Sequence, residues 1–269
     1  MRQRPSLARL LASAAVTAIL AAGLGGCQTM SDITGSITSK AEPPVRPNAD
    51  PRSALDAYGE RYRANPRDAE AALAYGQALR ASGQRSQAVA VLEQATIAHS
   101  TNKALLAAYG RALADNGNFQ QAFDVLSKAH SPDDPDWRIL SVQGAALDQM
   151  GKHDDARRYY ASALKIVPDE PSVLSNLGLS YVLSKDLPKA EQTLRRAYAN
   201  GGADARVRQN LGLVIGLQGR FAEAETIVKA DLPPEEAAAN VAYLKEMLSR
   251  KDTPAGRGTM PVASLNRPD

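Results

Sequence analysis

Residues 174–197 read LSNLGLSYVLSKDLPKAEQTLRRA, and this stretch decides the fold of the chain. Gly178 lies among apolar residues, and Ala190 follows twelve residues later inside a second apolar pattern. A glycine inside a helix costs about 1 kcal/mol relative to alanine, so its regular return indicates a point where another helix comes very close. Both residues return every 34 residues, as Gly76, Gly110, Gly144, Gly178 and Gly212 and as Ala88, Ala122, Ala156, Ala190 and Ala224.

This period resembles that of the tetratricopeptide repeat, in which an A helix and an antiparallel B helix form each unit. The apolar residues follow i, i+3 and i+4 spacing, a face that is buried only when units stack. Turn glycines stand between the two helices of each unit at Gly83, Gly117, Gly151 and Gly219, with Lys185 in that place in the fourth unit. The sequence therefore predicts an all-α fold, a tetratricopeptide-repeat solenoid of about five helix-turn-helix repeats.

The predicted solenoid extends over residues 51–250. Ala54, Tyr58 and Pro66 lie one period before the first full unit, in the places of a B helix, which predicts an N-terminal half-repeat. The repeats are expected near residues 69–102, 103–136, 137–170, 171–204 and 205–232.

A C-terminal capping helix is predicted over residues 234–250, after Pro233 and Pro234 interrupt the chain. Its apolar pattern is Ala238, Val241, Leu244 and Leu248. The Gly, Pro and Asn content of residues 251–269 predicts a disordered tail.

The N-terminus carries a second pattern. Arg2, Arg4 and Arg9 precede an uncharged apolar stretch from Leu10 to Leu24, and Gly25, Gly26 and Cys27 follow. The stretch is too short for a membrane span, and small residues before a cysteine suit a cleavage site. This pattern resembles a bacterial lipoprotein signal peptide, which implies that residues 1–26 are removed and that Cys27 is lipidated.

Cys27 is the only cysteine of the chain, so an intramolecular disulfide is excluded. The alternative is an ordinary secretory signal followed by a cysteine without a special role. Two or more acyl chains anchor a protein stably, whereas one does so marginally. Gln28 stands where lipoproteins retained in the inner membrane carry aspartate, so the resemblance implies a lipid anchor in the bacterial outer membrane, facing the periplasm. Residues 27–50 then form the lipidated cysteine and a flexible tether, which spans on the order of 25 Å.

Composition limits the class of function. The chain has 32 basic and 29 acidic residues, and removal of residues 1–26 takes away three arginines and no acid, which leaves 29 of each. A balanced charge argues against binding to nucleic acid. His99, His130 and His153 do not stand at metal-ligand spacing, and no nucleophile elbow or dinucleotide fingerprint occurs, so we expect no metal, no cofactor and no enzyme activity. Asp133, Asp134 and Asp136 are expected in a solvated loop.

A protein-binding groove is therefore the expected functional surface, lined by the A helices next to their glycines. Its first half is predicted to be polar, with Gln77, Arg80, Arg111, Asp115, Arg138, Asp148 and Gln149. Its second half is predicted to be mostly apolar and to bind a peptide, with Asn176, Leu179, Val182, Leu183, Gln209, Asn210, Leu213 and Leu217.

Asn176 and Asn210 stand 34 residues apart, each two residues before a repeat glycine. Their amides are predicted to pair with the N–H and C=O of an extended peptide. The alternative is a hydrogen bond between repeats without a ligand. The leucines of this half also have an alternative interpretation, in which they pack against neighbouring A helices or the capping helix and do not bind a peptide.

The lipoprotein motif from Leu24 to Cys27, the tether, the repeats and the ending from Ala239 to Leu244 together resemble TadD-like lipoproteins of the tight-adherence (Flp) pilus assembly system. The resemblance implies a pilotin-like scaffold that assists assembly of the pilus secretion apparatus, with the secretin or another pilus-assembly component as protein partner. An adaptor for peptidoglycan hydrolases and a component of outer-membrane protein assembly share the same architecture. A recognition subunit of an enzyme supplied in trans also remains open.

Overall fold

The computed structural model describes residues 51–200 and 204–252. Within these ranges the chain forms twelve α-helices and no strand, which confirms the predicted all-α repeat solenoid. The predicted signal peptide, Cys27, the tether and residues 253–269 lie outside the described residues. The helices are α1 Pro51–Ala64, α2 Ala69–Ala81, α3 Arg85–Ala98, α4 Lys103–Asp115, α5 Phe119–Leu126, α6 Trp137–Gln149, α7 His153–Ile166, α8 Pro171–Leu183, α9 Leu187–Ala199, α10 Ala205–Leu217, α11 Phe221–Val228 and α12 Pro234–Asp252.

The repeat glycines allow the two helices of a unit to approach closely. A Cβ on Gly110 would lie 2.5 Å from Leu126 Cγ, and one on Gly144 would lie 2.7 Å from Tyr160 Cε1. The large residue of each B helix thus occupies the space that a side chain on the A helix would need. The predicted close approach is confirmed, and the repeat alanines lie in the same interface with no more than 1% of their surface exposed.

Each A helix of the five repeats begins at a residue whose side chain accepts a hydrogen bond from the first turn. Asp68 accepts from the N–H groups of Glu70 and Ala71, and Asp136 accepts from that of Arg138. Such caps stabilise a helix by about 1 kcal/mol each, because they satisfy N–H groups that the helix leaves unpaired. The five caps, Asp68, Asn102, Asp136, Glu170 and Asp204, also follow the 34-residue period.

The B helices differ in length. α5 and α11 have 8 residues, whereas α3 and α7 have 14. As α5 ends at Leu126, His130 lies in the loop that follows it. The loop also holds Asp133 and Asp134, while Asp136 caps α6.

The capping helix α12 packs against α10 and α11. Ala237 and Leu244 are buried, and Val241 packs on the core of the fifth repeat. The predicted apolar face was wrong at one position, since Ala238 is exposed and its neighbour Ala237 is the buried residue. The i, i+4, i+7 spacing from Ala237 to Leu244 follows the helical period more evenly, which accounts for the difference.

Lys185 takes the left-handed backbone conformation that glycine takes in the other units. Its φ is 64°, whereas the four turn glycines have φ between 75° and 85°. A side chain in this conformation is strained by about 1 kcal/mol, and glycine is not.

We expect Lys185→Gly to raise the free energy of unfolding by about 0.5 to 1 kcal/mol, because it removes this strain. Urea denaturation followed by circular dichroism measures the change. Lys165→Gly, in the last turn of α7, is the matched control and should lower stability by a similar amount. A loss of stability in both variants would contradict the prediction.

Candidate protein-binding groove

The A helices form the inner layer of the solenoid. Successive A helices pack directly on each other, α2 on α4, α4 on α6, α6 on α8 and α8 on α10. Each B helix instead packs mainly against the A helices on either side. The more closely spaced layer lies on the concave side of such a stack, so the A helices face that side.

Not all of the residues predicted for the apolar half of the groove are accessible. Val182 is only 7% exposed and packs in the core with Val214 and Ile215. Leu217 is half-buried against the same core. Val182 therefore does not line the groove, because the next A helix covers it. Leu179, Leu183 and Leu213 are half-buried outside the core clusters, and Gln209 is half-buried as well.

Asn176 and Asn210 connect neighbouring repeats. Asn176 Nδ2 donates to Ser141 Oγ over 3.1 Å, and Asn210 Nδ2 donates to Ser175 Oγ over 2.8 Å. Both serines are buried. One of the two amide N–H groups of each asparagine is thus used between repeats, and the second N–H and the amide oxygen are left for a bound peptide.

Asp148, predicted in the polar half of the groove, lies instead in a buried network between the third and fourth repeats. Its carboxylate accepts hydrogen bonds from Tyr160 Oη over 3.0 Å and from Ser180 Oγ over 2.8 Å. His153 Nδ1 lies 2.9 Å from Asp148 Oδ1. Burial raises the pKa of Asp148 above its usual value, although these three partners act in the opposite direction. Asp148 therefore connects the third and fourth repeats through hydrogen bonds and does not line the groove.

The raised pKa predicts how stability depends on pH. The folded chain holds the Asp148 proton more tightly than the unfolded chain, so the wild type loses stability as pH rises through the pKa of the folded state. Relative to Asp148→Asn, the wild type should become less stable as pH rises above about 4, the usual pKa of an aspartate. Urea denaturation at each pH tests this, with both proteins carrying His153→Gln so that no histidine faces the carboxylate. A constant difference would contradict the prediction.

The polar half of the groove contains three arginines from three successive A helices. Arg80 on α2 bonds the carboxylate of Asp115 on α4, with a distance of 2.6 Å between Nη2 and Oδ2. Arg111 on α4 is 6% exposed. Arg138 lies in the first turn of α6, over the ring of Trp137 and 4.5 Å from its centroid. Gln77 and Gln149 are exposed. The arginines and Asp115 therefore form a compact charged region, which we call the arginine cluster.

Arg111 is the unusual member of the arginine cluster. Its Nε and Nη2 are buried and donate no hydrogen bond within the described part of the chain. Burial, followed by the positive charge of Arg80, lowers the pKa of Arg111 from 12.5 to about 10, while Asp136 and Asp115 act in the opposite direction. The sequence placed Arg111 in the groove but gave no sign that it would be buried without a partner.

Two family profiles match the chain. The one described as tetratricopeptide repeat matches residues 142–205, and the one described as anaphase-promoting complex, cyclosome, subunit 3, matches residues 53–129. The chain is a tetratricopeptide-repeat solenoid. No curated protein matches it.

Solved structures share the fold of this tetratricopeptide-repeat solenoid. A chain of the Cut9–Hcn1 complex of the APC/C has a TM-score of 0.61 at 17% identity over 77% of the present chain, which spans only 41% of that chain's length. A tetratricopeptide repeat protein from Parabacteroides merdae has a TM-score of 0.62 at 14% identity, covering 74% of this chain and 77% of the other. PilW, a widely conserved type IV pilus biogenesis factor, has a TM-score of 0.62 at 18% identity, covering 72% and 91%.

The tetratricopeptide-repeat solenoid is a protein-interaction scaffold, which is what stacked repeats with an open concave surface are suited to be. Among the described residues, no helix is both long and apolar enough to cross a membrane. Nor do residues 51–200 and 204–252 bring together three His, Cys, Asp or Glu side chains that could hold a metal ion.

Proposed function

We propose that this protein is a pilotin-like scaffold, anchored in the outer membrane by lipid, that assists assembly of a Flp or tight-adherence pilus secretion apparatus. One observation carries the proposal: a protein-binding solenoid follows a lipoprotein-like leader that ends at the only cysteine, Cys27. The ending from Ala239 to Leu244, which resembles that of TadD-like lipoproteins, favours the pilus over other envelope processes. The shared fold with PilW is compatible with this assignment.

The anchor and the groove act together in this proposal. Acyl chains on Cys27 hold the tether at the membrane, and the A-helix groove binds a segment of the secretin or of another assembly component. A partner in the thin layer next to the membrane has a high effective concentration around the groove, so a modest binding affinity is sufficient. The half-buried Leu179, Leu183 and Leu213 suit an apolar side chain of such a segment.

Mild crosslinking in native membranes, followed by purification of the lipidated protein and mass spectrometry, tests the function. We expect the secretin or other pilus-assembly proteins to co-purify. Peptidoglycan hydrolases alone would instead favour the cell-wall adaptor, and outer-membrane insertion components alone would favour a role in protein insertion. Either of these two results would overturn the pilus assignment.

Cys27→Ser is expected to move nearly all of the protein from the outer-membrane fraction to the soluble periplasmic fraction, because the acyl chains are its anchor. Gln28→Asp is the companion variant and should shift the protein to the inner membrane. Fractionation with immunoblotting measures both. The purified domains should have the same circular dichroism as the wild type. Full complementation of pilus assembly by the Cys27→Ser protein would contradict the role of the anchor.

A further inference from the structure

A cavity of about 360 Å³ lies between the loop that follows α5 and the helices α6 and α7. α5 ends at Leu126 after 8 residues, whereas the B helices α3 and α7 have 14, and Pro132 and Pro135 prevent the chain from continuing the helix. The residues after Leu126 line the cavity instead of forming the last turns of α5. Tyr159 and Ser162 of the B helix α7 also line it, so the cavity lies on the side of α6 that faces its B helix and not on the side of the groove.

One wall of the cavity is held in place by a chain of hydrogen bonds. Gln143 Nε2 donates to Ser127 Oγ over 3.0 Å, and Ser127 Oγ donates to the carbonyl oxygen of Phe123 over 2.9 Å. Gln143 Oε1 is therefore the acceptor for His130 Nε2, which lies 3.1 Å away. Because Gln143 is buried, this wall is fixed before a ligand arrives, which lowers the entropy cost of binding.

The cavity is lined by both apolar and polar groups. The apolar groups include Leu140 and the half-buried ring of Tyr159, which contacts Phe123 with 5.5 Å between the ring centroids. The polar groups include the hydroxyls of Ser131 and Ser162, which make no hydrogen bond to another described residue. These hydroxyls are available to donate to and accept from a ligand, while the tyrosine ring offers a surface for C–H groups.

The lining of the cavity also carries little charge. His130 and Tyr159 are its only ionisable side chains, and no Asp, Glu, Lys or Arg lines it. A charged ligand would lose hydration here without gaining a partner of opposite charge, which is unfavourable. The volume is at the lower end of the range for small-molecule sites, roughly 300 to 1,000 Å³. The cavity therefore suits a single neutral ring better than a charged group or a long chain.

We propose that this cavity is a binding site for a neutral sugar ring. A pyranose has C–H groups on the faces of its ring and hydroxyls around its rim, so it matches the ring of Tyr159 together with the hydroxyls of Ser131 and Ser162. A proline ring would contact the apolar groups, but it has no hydroxyl for the two serines. This inference is independent of the pilus assignment and of the A-helix groove.

Saturation-transfer difference NMR on the full-length protein, purified in a detergent without sugar groups, tests the site. The probes are methyl glucoside, methyl galactoside and N-acetylglucosamine, with glucuronate and glucosamine as charged counterparts and N-acetylproline amide as the alternative ring. We expect transfer to the ring protons of at least one neutral sugar, with a dissociation constant on the order of 1 mM, and about 5-fold weaker binding of the charged sugars. Absence of transfer to every neutral sugar overturns the proposal, and so does equal binding of the charged sugars or transfer to the proline amide alone.

Three substitutions on α7 show whether the sugar binds in this cavity. Ser162→Leu fills the cavity from an exposed position and should weaken binding at least about 10-fold, whereas Ala161→Leu adds the same side chain at the neighbouring exposed residue and should change it less than about 2-fold. Tyr159→Leu keeps an apolar side chain but removes the aromatic ring, and we expect about 5-fold weaker binding.

Circular dichroism checks that the three variants are folded. Equal affinity of the wild type and Ser162→Leu overturns the proposal, because the sugar would then bind elsewhere. Since these measurements use no pilus protein, failure of the sugar site can be distinguished from failure of the proposed function.

Discussion

Asp148→Leu should lower the free energy of unfolding by about 3 to 5 kcal/mol, since each buried polar group left without a partner costs about 1 to 3 kcal/mol. The carboxylate of Asp148 is the acceptor for Tyr160 Oη and Ser180 Oγ, and both of these residues are buried. Leucine is close in volume but accepts no hydrogen bond. Urea denaturation followed by circular dichroism measures the loss.

Two controls define the cause of this loss. Asp148→Asn retains an acceptor oxygen and should cost less than half as much as Asp148→Leu. Asp155→Asn removes a carboxylate from the exposed face of α7, where it pairs with Arg158, and should change stability by less than about 0.5 kcal/mol. Equal losses in Asp148→Asn and Asp148→Leu would show that hydrogen bonding is not the reason.

Gly144→Val is expected to lower the free energy of unfolding by about 3 kcal/mol through overpacking. The new Cβ would lie 2.7 Å from Tyr160 Cε1 and 2.9 Å from Tyr160 Cζ. The ring cannot move away easily because its hydroxyl is bonded to Asp148. Denaturation in urea measures the effect.

Ala145→Val is the matched control, since it adds the same branched side chain one residue further along α6 and should cost less than about 1 kcal/mol. A double-mutant cycle with Tyr160→Ala tests the contact directly. The cost of Gly144→Val should shrink in that background, because the ring that it meets is absent. If Gly144→Val costs the same free energy of unfolding in the Tyr160→Ala background, the clash is with the backbone of α7 and not with the tyrosine ring.

The repeat register could be read from the sequence because the residues that set it are local and periodic. Gly144 and Ala156 lie in one unit, and the helix pair brings them together wherever the unit occurs. The N-terminal caps were equally readable, since Asp68 and its four equivalents follow the same period. The apolar pattern does not reveal them, because they are polar residues.

Contacts between units could be predicted from the sequence less well than the repeat register. Asp148 and Arg111 both lie on A helices near their glycines, yet Asp148 is hydrogen-bonded to the next repeat, whereas Arg111 Nε and Nη2 have no hydrogen-bond partner among the described residues. The difference depends on what the adjoining helices bring, such as Ser180 and Tyr160 around Asp148. Val182 is another example. One face of an A helix contributes some residues to the groove and others to the contact with the next A helix, and the position in the sequence alone does not show which residue does which.

Gly216 and Leu244 set a limit on how this array can grow. A Cβ on Gly216 would lie 2.5 Å from Leu244 Cδ2, so α12 fits into α10 just as closely as the helices within a unit fit together. Because α12 packs on α11 and α10 as each A helix packs on the two helices before it, it occupies the place that a sixth unit would take. Gene duplication or engineered insertion can therefore add repeats only at positions before the fifth unit. Added repeats would lengthen the solenoid between the tether and the C-terminal capping helix α12.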